Sequence, residues 1–210
     1  MPSARVVGFR AIERGWLGSL HAARVTARAG LQTPNAPKNL HEVLYEVAFL
    51  RTFVAWERFL EDAFLSYLMG KKPLHGRPPH RYYCPPDVPS AWRFLSGLSG
   101  NRPYLDWTDA IQVSNRADLV FRQGSCFNRL RAENVIIQEM KRVRNAITHH
   151  SDDARGKFEE LVRQKLTILP PRCTPGSFLG SYNPADQTHG TFLDMYLNVI
   201  SALANDILRP

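Results

Sequence analysis

One long apolar segment constrains this chain more than any other feature. Residues 38–70 read KNLHEVLYEVAFLRTFVAWERFLEDAFLSYLMG. The polar residues of its second half fall on one stripe, and most of the remaining positions are apolar. The apolar residues include Val47, Leu50, Phe53, Val54, Phe59, Leu60 and Phe64. This pattern predicts a helix over residues 38–69, closed by Gly70, with an apolar face too wide for one neighbouring helix to cover. We therefore expect a central helix, or one that also contacts a partner chain.

Four further segments have apolar residues at helical spacing, which predicts four more helices. They run from about residue 8 to 29, from Glu133 to the histidine pair at 149–150, from 152 to 169 and from 191 to 208. The serine at 151, followed by two aspartates, is typical of a helix start, because its hydroxyl can cap the first turn and the acids suit the helix dipole.

No segment shows a convincing alternating strand pattern, so we predict an all-α fold, a bundle of about five helices. The chain forms one domain, residues 1–210, in this interpretation. Two long insertions interrupt it at about 71–131 and 170–190, and SAWRFLSGL (residues 90–98) is a candidate short helix within the first. The helix that starts at Glu133 should bury one stripe. Its members are Ile136, Met140, Val143 and Ile147.

The formal net charge is +8 and the pI is near 9.7. A basic protein of this size often binds a polyanion, most commonly nucleic acid. Cys84, Cys126 and Cys173 are odd in number and form no CxxC motif, which favours a reducing compartment and a cytoplasmic location. No apolar run reaches the roughly 18 residues of a membrane span. The basic first 30 residues lack a secretory pattern, and a first helix explains them better than a transit peptide does.

The segment RNAITHHSDD, residues 144–153, carries the most distinctive chemistry of the chain. On a helical wheel His150 lies only about 20° from Val143 and continues the core stripe, so it should be a packed or junction residue, whereas His149 lies about 120° from the core direction. His149 is therefore the exposed candidate, with Asn145 one turn before it. Lys141 and Arg142 continue the polar face and are candidate substrate-binding residues.

The spacing of Arg144 and His149 sets a geometric condition. Five residues correspond to about 140° around an unbroken helix, so the two side chains would not meet on a straight one. They converge if the helix breaks at His149, or if two chains meet along this face and each supplies half of a site. We expect a dimeric site on this ground.

These residue types suit RNA chemistry. A histidine that titrates near neutrality can move the proton of a ribose 2′-OH, and an arginine can grip a phosphate and stabilise the charge of the transition state. Neither step needs a metal or a cofactor. Taken without its context, however, an arginine five residues before a histidine is common by chance, and Arg144 could simply complement a helix C-terminus.

Three other groups deserve a hypothesis. The first, a weak zinc signal, consists of His75, His80 and Cys84. The second is an aromatic and basic set that either stacks on RNA bases or packs within a folded insertion: Tyr82, Tyr83, Trp92, Arg77 and Arg81. The third either follows a phosphate backbone or forms a solvated basic face: Arg116, Arg122, Arg129 and Arg131.

RNAITHH, placed late in one helix and followed by a capped helix in an all-α chain, resembles the HEPN superfamily. Arg144, Asn145 and His149 match the family signature of an arginine, a polar residue and, a few residues later, a histidine. The resemblance extends over VRNAITHHSDDARGKFEELVRQKL and the first, second and last helices. It implies a metal-independent endoribonuclease, often a toxin or antiviral defence effector, with a site shared across a homodimer and a cognate antitoxin as partner.

By this resemblance Arg144 and His149 are catalytic and Asn145 supports them. One branch of the family has a tyrosine two positions after the motif histidine, and this chain has Ser151 there, which puts control by modification of that tyrosine in doubt. Two alternatives stay open: a catalytically inactive HEPN module that binds nucleotides or a partner protein, and a basic helical nucleic-acid-binding protein. The second would need a helix-turn-helix with a basic recognition helix, which the sequence does not show.

Overall fold

A computed structural model describes residues 6–31, 37–98, 105–122, 125–185 and 190–210. Within these ranges the chain forms nine α-helices and no strand, which confirms the all-α prediction. The helices are α1 (Phe9–Leu31), α2 (Lys38–Leu68), α3 (Val88–Gly97), α4 (Ala110–Val120), α5 (Arg129–Ala132), α6 (Asn134–Thr148), α7 (Asp152–Leu166), α8 (Pro175–Gly180) and α9 (Phe192–Leu208). A 3₁₀ turn, Cys126–Asn128, precedes α5.

The predicted helices and the observed ones agree closely for the long elements. The segment predicted at 38–69 is α2, and it ends before Gly70, whose φ of 76° suits a residue without a side chain. Ser151 caps α7 by accepting a hydrogen bond from the Ala154 backbone nitrogen at 3.3 Å. The two insertions contain helices of their own: α3, α4 and α5 in the first, and α8 in the second. The count of about five helices was therefore too low.

The described residues fall into two compact units. The first unit draws on residues 1–17, 56–135 and 201–210, and the second on 18–55 and 136–200. In the first unit, Phe64 is fully buried, and its ring centroid lies 5.1–5.4 Å from those of Trp107, Phe121 and Phe127. These rings come from α2 and from the first insertion, so that insertion has a core of its own rather than forming a loose loop.

In the second unit, aromatic side chains from α2, α7, α8 and α9 form the core. The ring centroids of Phe178 and Phe192 are stacked 4.4 Å apart, and Phe158 meets Phe178 edge-on at 5.8 Å. Phe49 of α2 contacts Tyr196 of α9 with the ring centroids 6.1 Å apart. These contacts belong to α7 and α9, the helices whose Lys165 and Tyr196 contact Glu139 of α6.

The buried face of α6 differs from the predicted one. Ile137, Met140 and Val143 are buried together with Glu139, whereas Ile136 and Ile147 are only half-buried. The prediction is confirmed for Met140 and Val143 and was wrong for Ile136 and Ile147. It followed apolar residues alone, whereas a charged residue occupies part of the inward face. Val54 of α2, counted with the apolar face, is 63% exposed.

Candidate functional site

The three motif residues meet where α6 ends. Helix α6 stops at Thr148, and the backbone nitrogen of His149 still donates to the Asn145 carbonyl at 2.8 Å. Beyond that bond the chain turns, and Asp152 begins α7 after a link of only three residues, 149–151. The break lets the His149 side chain turn back over the last turn of α6 instead of following the wheel.

Arg144 contacts both of the other motif residues, Asn145 and His149. Its Nη1 lies 3.2 Å from Nε2 of His149 and donates to Oδ1 of Asn145 at 3.0 Å. The two residues that the sequence placed about 140° apart therefore meet within one chain. Of the two explanations considered, a helix break accounts for the meeting, so the 144–149 spacing gives no argument for a second chain.

The contact sets a condition on the imidazole. A guanidinium has only donors, so a hydrogen bond between Nη1 of Arg144 and Nε2 of His149 requires the neutral imidazole tautomer with its proton on Nδ1. Arg144 is half-buried and the His149 side chain is exposed. The arrangement thus presents a permanent cation beside a basic nitrogen at a surface that a large substrate can reach.

Of the two roles predicted for His150, packed residue or junction residue, the structure supports the second. The wheel placed this residue on the core stripe, yet it is exposed. The wheel assumes that the helix continues, and α6 has already ended at Thr148. His150 therefore lies in the link between α6 and α7 and not in the core.

Lys141 and Arg142 precede Asn145 by four and three residues on α6, and both side chains are half-buried. Residues at these spacings are neighbours on a helix surface. Their charges therefore lie on the approach to the motif from the body of α6.

The arginine row does not form one surface. Arg116 is 7% exposed and donates to Oε1 of Gln112 at 3.3 Å, and burial lowers its pKa. Arg131 binds Asp118 at 2.5 Å, and Arg129 binds Asp206 at 3.0 Å. Arg122 is exposed. A solvated basic face is therefore wrong for Arg116 only. Arg122 and Arg129 are exposed, and contact with a phosphate backbone stays a prediction for them.

The aromatic insertion mostly packs within the first unit. The ring centroids of Tyr83 and Phe94 lie 4.4 Å apart, and Arg81 donates to the Leu68 carbonyl at 2.9 Å, whereas Tyr82 is 61% exposed. Among the described residues no group of three His, Cys, Asp or Glu side chains is arranged to hold a metal ion. Cys84, the third member of the weak zinc signal, is exposed and free.

Sequence reasoning missed one polar cluster in the second unit. Glu139 is 8% exposed and sits between Lys165 of α7 and Tyr196 of α9. The only sign of this cluster in the sequence was that Glu139, a charged residue, directly precedes Met140 on a face expected to be apolar.

Comparisons with known proteins identify no relative of this chain. No family model, no curated protein and no solved structure matches the chain. No helix of the described residues could span a lipid bilayer. The case for a function therefore depends on the geometry of Arg144, Asn145 and His149.

Proposed function

We propose that this protein is a metal-independent endoribonuclease of the HEPN type, with Arg144 and His149 as catalytic residues and Asn145 in support. One observation carries the proposal: Nη1 of Arg144 and Nε2 of His149 lie 3.2 Å apart at an exposed surface. A phosphodiester held by this guanidinium would have the basic imidazole nitrogen beside its ribose 2′-OH.

The free site must rearrange before it can act. In the absence of substrate, Nε2 of His149 accepts a hydrogen bond from Arg144, so its lone pair is engaged. A phosphate is a stronger acceptor than a neutral imidazole and draws the guanidinium towards itself. The released Nε2 then accepts the 2′-OH proton, and the 2′-oxygen attacks the phosphorus to form the 2′,3′-cyclic phosphate. The bond to the 5′-oxygen breaks, and that oxygen leaves as a 5′-hydroxyl by taking a proton from the imidazolium or from water.

The half-buried Asn145 limits how far Arg144 moves. Its Oδ1 accepts from Nη1 at 3.0 Å, and the remaining guanidinium nitrogens are available to a phosphate in a bidentate grip. Lys141 and Arg142 would supply charge along the incoming strand. The net charge of +8 makes a large share of RNA affinity electrostatic, so binding should weaken as salt rises.

The chemical identity of the cleaved ends tests this mechanism. We expect the protein to cut single-stranded or looped RNA in the presence of EDTA, to leave 2′,3′-cyclic phosphate ends, and to spare DNA, which lacks the nucleophile. Mass spectrometry of the products identifies the ends. Linear 3′-hydroxyl products, or activity lost with EDTA and restored by magnesium, would rule the mechanism out. RNA binding without cleavage would favour the alternative function, a catalytically inactive HEPN module.

We also propose that the protein acts as a homodimer and has a cognate antitoxin as a partner. Support for a second copy comes from α2, where five apolar residues that are exposed or half-buried follow a 3-4 spacing: Leu40, Val43, Val47, Leu50 and Val54. Val43 and Val54 are 49% and 63% exposed. Such a stripe is typical of a helix that pairs with another.

Sedimentation at micromolar concentration measures the oligomeric state. We expect a dimer for the natural protein and a monomer for Val54→Asp, because a carboxylate within an apolar contact would remain unpaired. Val25→Asp, at a similarly exposed position on α1, is the matched control and should stay dimeric. A natural protein that sediments as a monomer, or a Val54→Asp dimer, would contradict the role given to this stripe.

A further inference from the structure

A polar cluster, in which Glu139 and Tyr196 are buried and Lys165 is partly exposed, joins α6 to α7 and α9. Nζ of Lys165 lies 2.7 Å from Oε1 of Glu139, and the Tyr196 hydroxyl donates a longer bond of 3.4 Å to Oε2. Glu139 is 8% exposed and Tyr196 is fully buried. Burial, together with the charge of Glu139, holds the pKa of the Tyr196 phenol well above its ordinary value, so the phenol remains a hydrogen-bond donor. Each carboxylate oxygen of Glu139 therefore has its own partner on a different helix.

Burying charged groups in such a cluster costs free energy, so it stabilises a core inefficiently. Removing a carboxylate and an ammonium from water costs several kcal/mol per ion, and apolar residues of similar volume often serve equally well or better. An ion pair adds specificity of position, since its two partners must lie at a set distance and orientation. Aliphatic side chains can pack against each other in many relative positions. The other buried residues of α6 are Ile137, Met140 and Val143. Glu139 is thus the one polar residue among the buried residues of α6.

The motif depends on the rotation of α6. Arg144 follows Glu139 by five residues on the same helix, and His149 lies in the three-residue link between α6 and α7. The other end of the link is held by the Ser151 cap on α7. A slip of one residue between the two helices would turn Arg144 by about 100° and shift it by about 1.5 Å. Either change would break the 3.2 Å contact with His149.

We infer that Glu139 and Lys165, with Tyr196, are positioning residues that set the register of α6 against α7 and so bring Arg144 to His149. The inference rests on the proposed ribonuclease function for its kinetic consequence. Its structural consequence, the contact between the Arg144 guanidinium and Nε2 of His149, holds whether or not the protein cleaves RNA.

The main test removes all three polar groups together, so that none is left unpaired. In Glu139→Met/Lys165→Met/Tyr196→Phe we expect a folded protein with an unchanged or higher melting temperature. Long-range ¹H–¹⁵N NMR of the His149 ring, recorded where the ring is neutral, should show Nε2 unprotonated in the natural protein. In the variant it should show a mixture in which Nε2 carries the proton. The kcat for RNA should fall about 10- to 100-fold, with KM within about twofold, because misplacement by about 1 Å affects the reacting geometry more than binding.

Three further variants make the result decisive. Lys165→Arg keeps the ion pair and should keep both the NMR signature and kcat. Glu139→Gln keeps the bond from Tyr196 but loses the charge, and should give an intermediate result if the triple variant does not fold. Lys157→Met removes an exposed pair on α7, Lys157 with Asp153 at 2.7 Å, and should change nothing. A folded triple variant, or a Glu139→Gln protein, with the natural His149 signature would overturn the inference. The natural signature without any RNA cleavage would refute the ribonuclease alone.

Discussion

His149→Ala should lose RNA cleavage by about 10²- to 10⁴-fold while the protein stays folded, because the substitution removes the only proton acceptor proposed for the 2′-OH. The side chain is exposed, so its removal leaves no cavity. Arg144→Ala should cost a similar factor, since it removes the cation that holds the phosphate and stabilises the transition-state charge. Cleavage of a fluorescent single-stranded RNA in EDTA, measured with the melting temperature of each variant, gives both quantities.

His150→Ala is the matched control for this experiment. It removes an identical side chain from the next position, which is also exposed and lies in the same link. We expect it to keep both stability and most of its activity. Arg144→Lys separates charge from shape, because a lysine supplies the charge without the planar fork and should recover only part of the rate. An active His149→Ala protein, or a folded and inactive His150→Ala protein, would show that the proton acceptor has been misassigned.

Phe64→Ala should destabilise the protein by about 3–5 kcal/mol, the usual range for removing a fully buried aromatic ring. Phe64 contacts Trp107, Phe121 and Phe127, and it is fully buried. These neighbours come from three separate parts of the first insertion, so they cannot collapse into the cavity together. Because a protein's total stability is commonly about 5–15 kcal/mol, the loss is a large share of it.

Urea unfolding followed by circular dichroism measures this effect. The midpoint should fall while the slope of the transition stays the same, since the surface exposed on unfolding hardly changes. Leu119→Ala serves as the control, because that side chain is 59% exposed in the same unit and its loss should cost under about 0.5 kcal/mol. A Phe64→Ala midpoint close to that of the control would mean that the insertion does not pack on α2 as described.

The longest helices could be predicted because the sequence signals that mark them lie within each helix or at its ends. Apolar spacing and the closing glycine gave α2 within a residue or two, and Ser151 gave the start of α7 through its cap. Between residues 71 and 131 the pattern predicted only the short helix at 90–98, which the structure has as α3, Val88–Gly97. The rings that build the core there lie on α2 and on short segments far apart in sequence, and no period connects them.

The sequence by itself determined the all-α class, the bounds of the long helices and the choice of Arg144, Asn145 and His149 as the residues of interest. Only the tertiary structure decided how those residues meet. A helical wheel assumes an unbroken helix axis. It therefore placed the side chains of Arg144 and His149 about 140° apart and placed His150 on the core stripe. The end of α6 at Thr148 reverses both conclusions, and the ion pair of Glu139 with Lys165 across two helices was invisible to any local pattern. Side-chain convergence depends on where a helix stops and what it packs against, and both are set by contacts between residues distant in the chain.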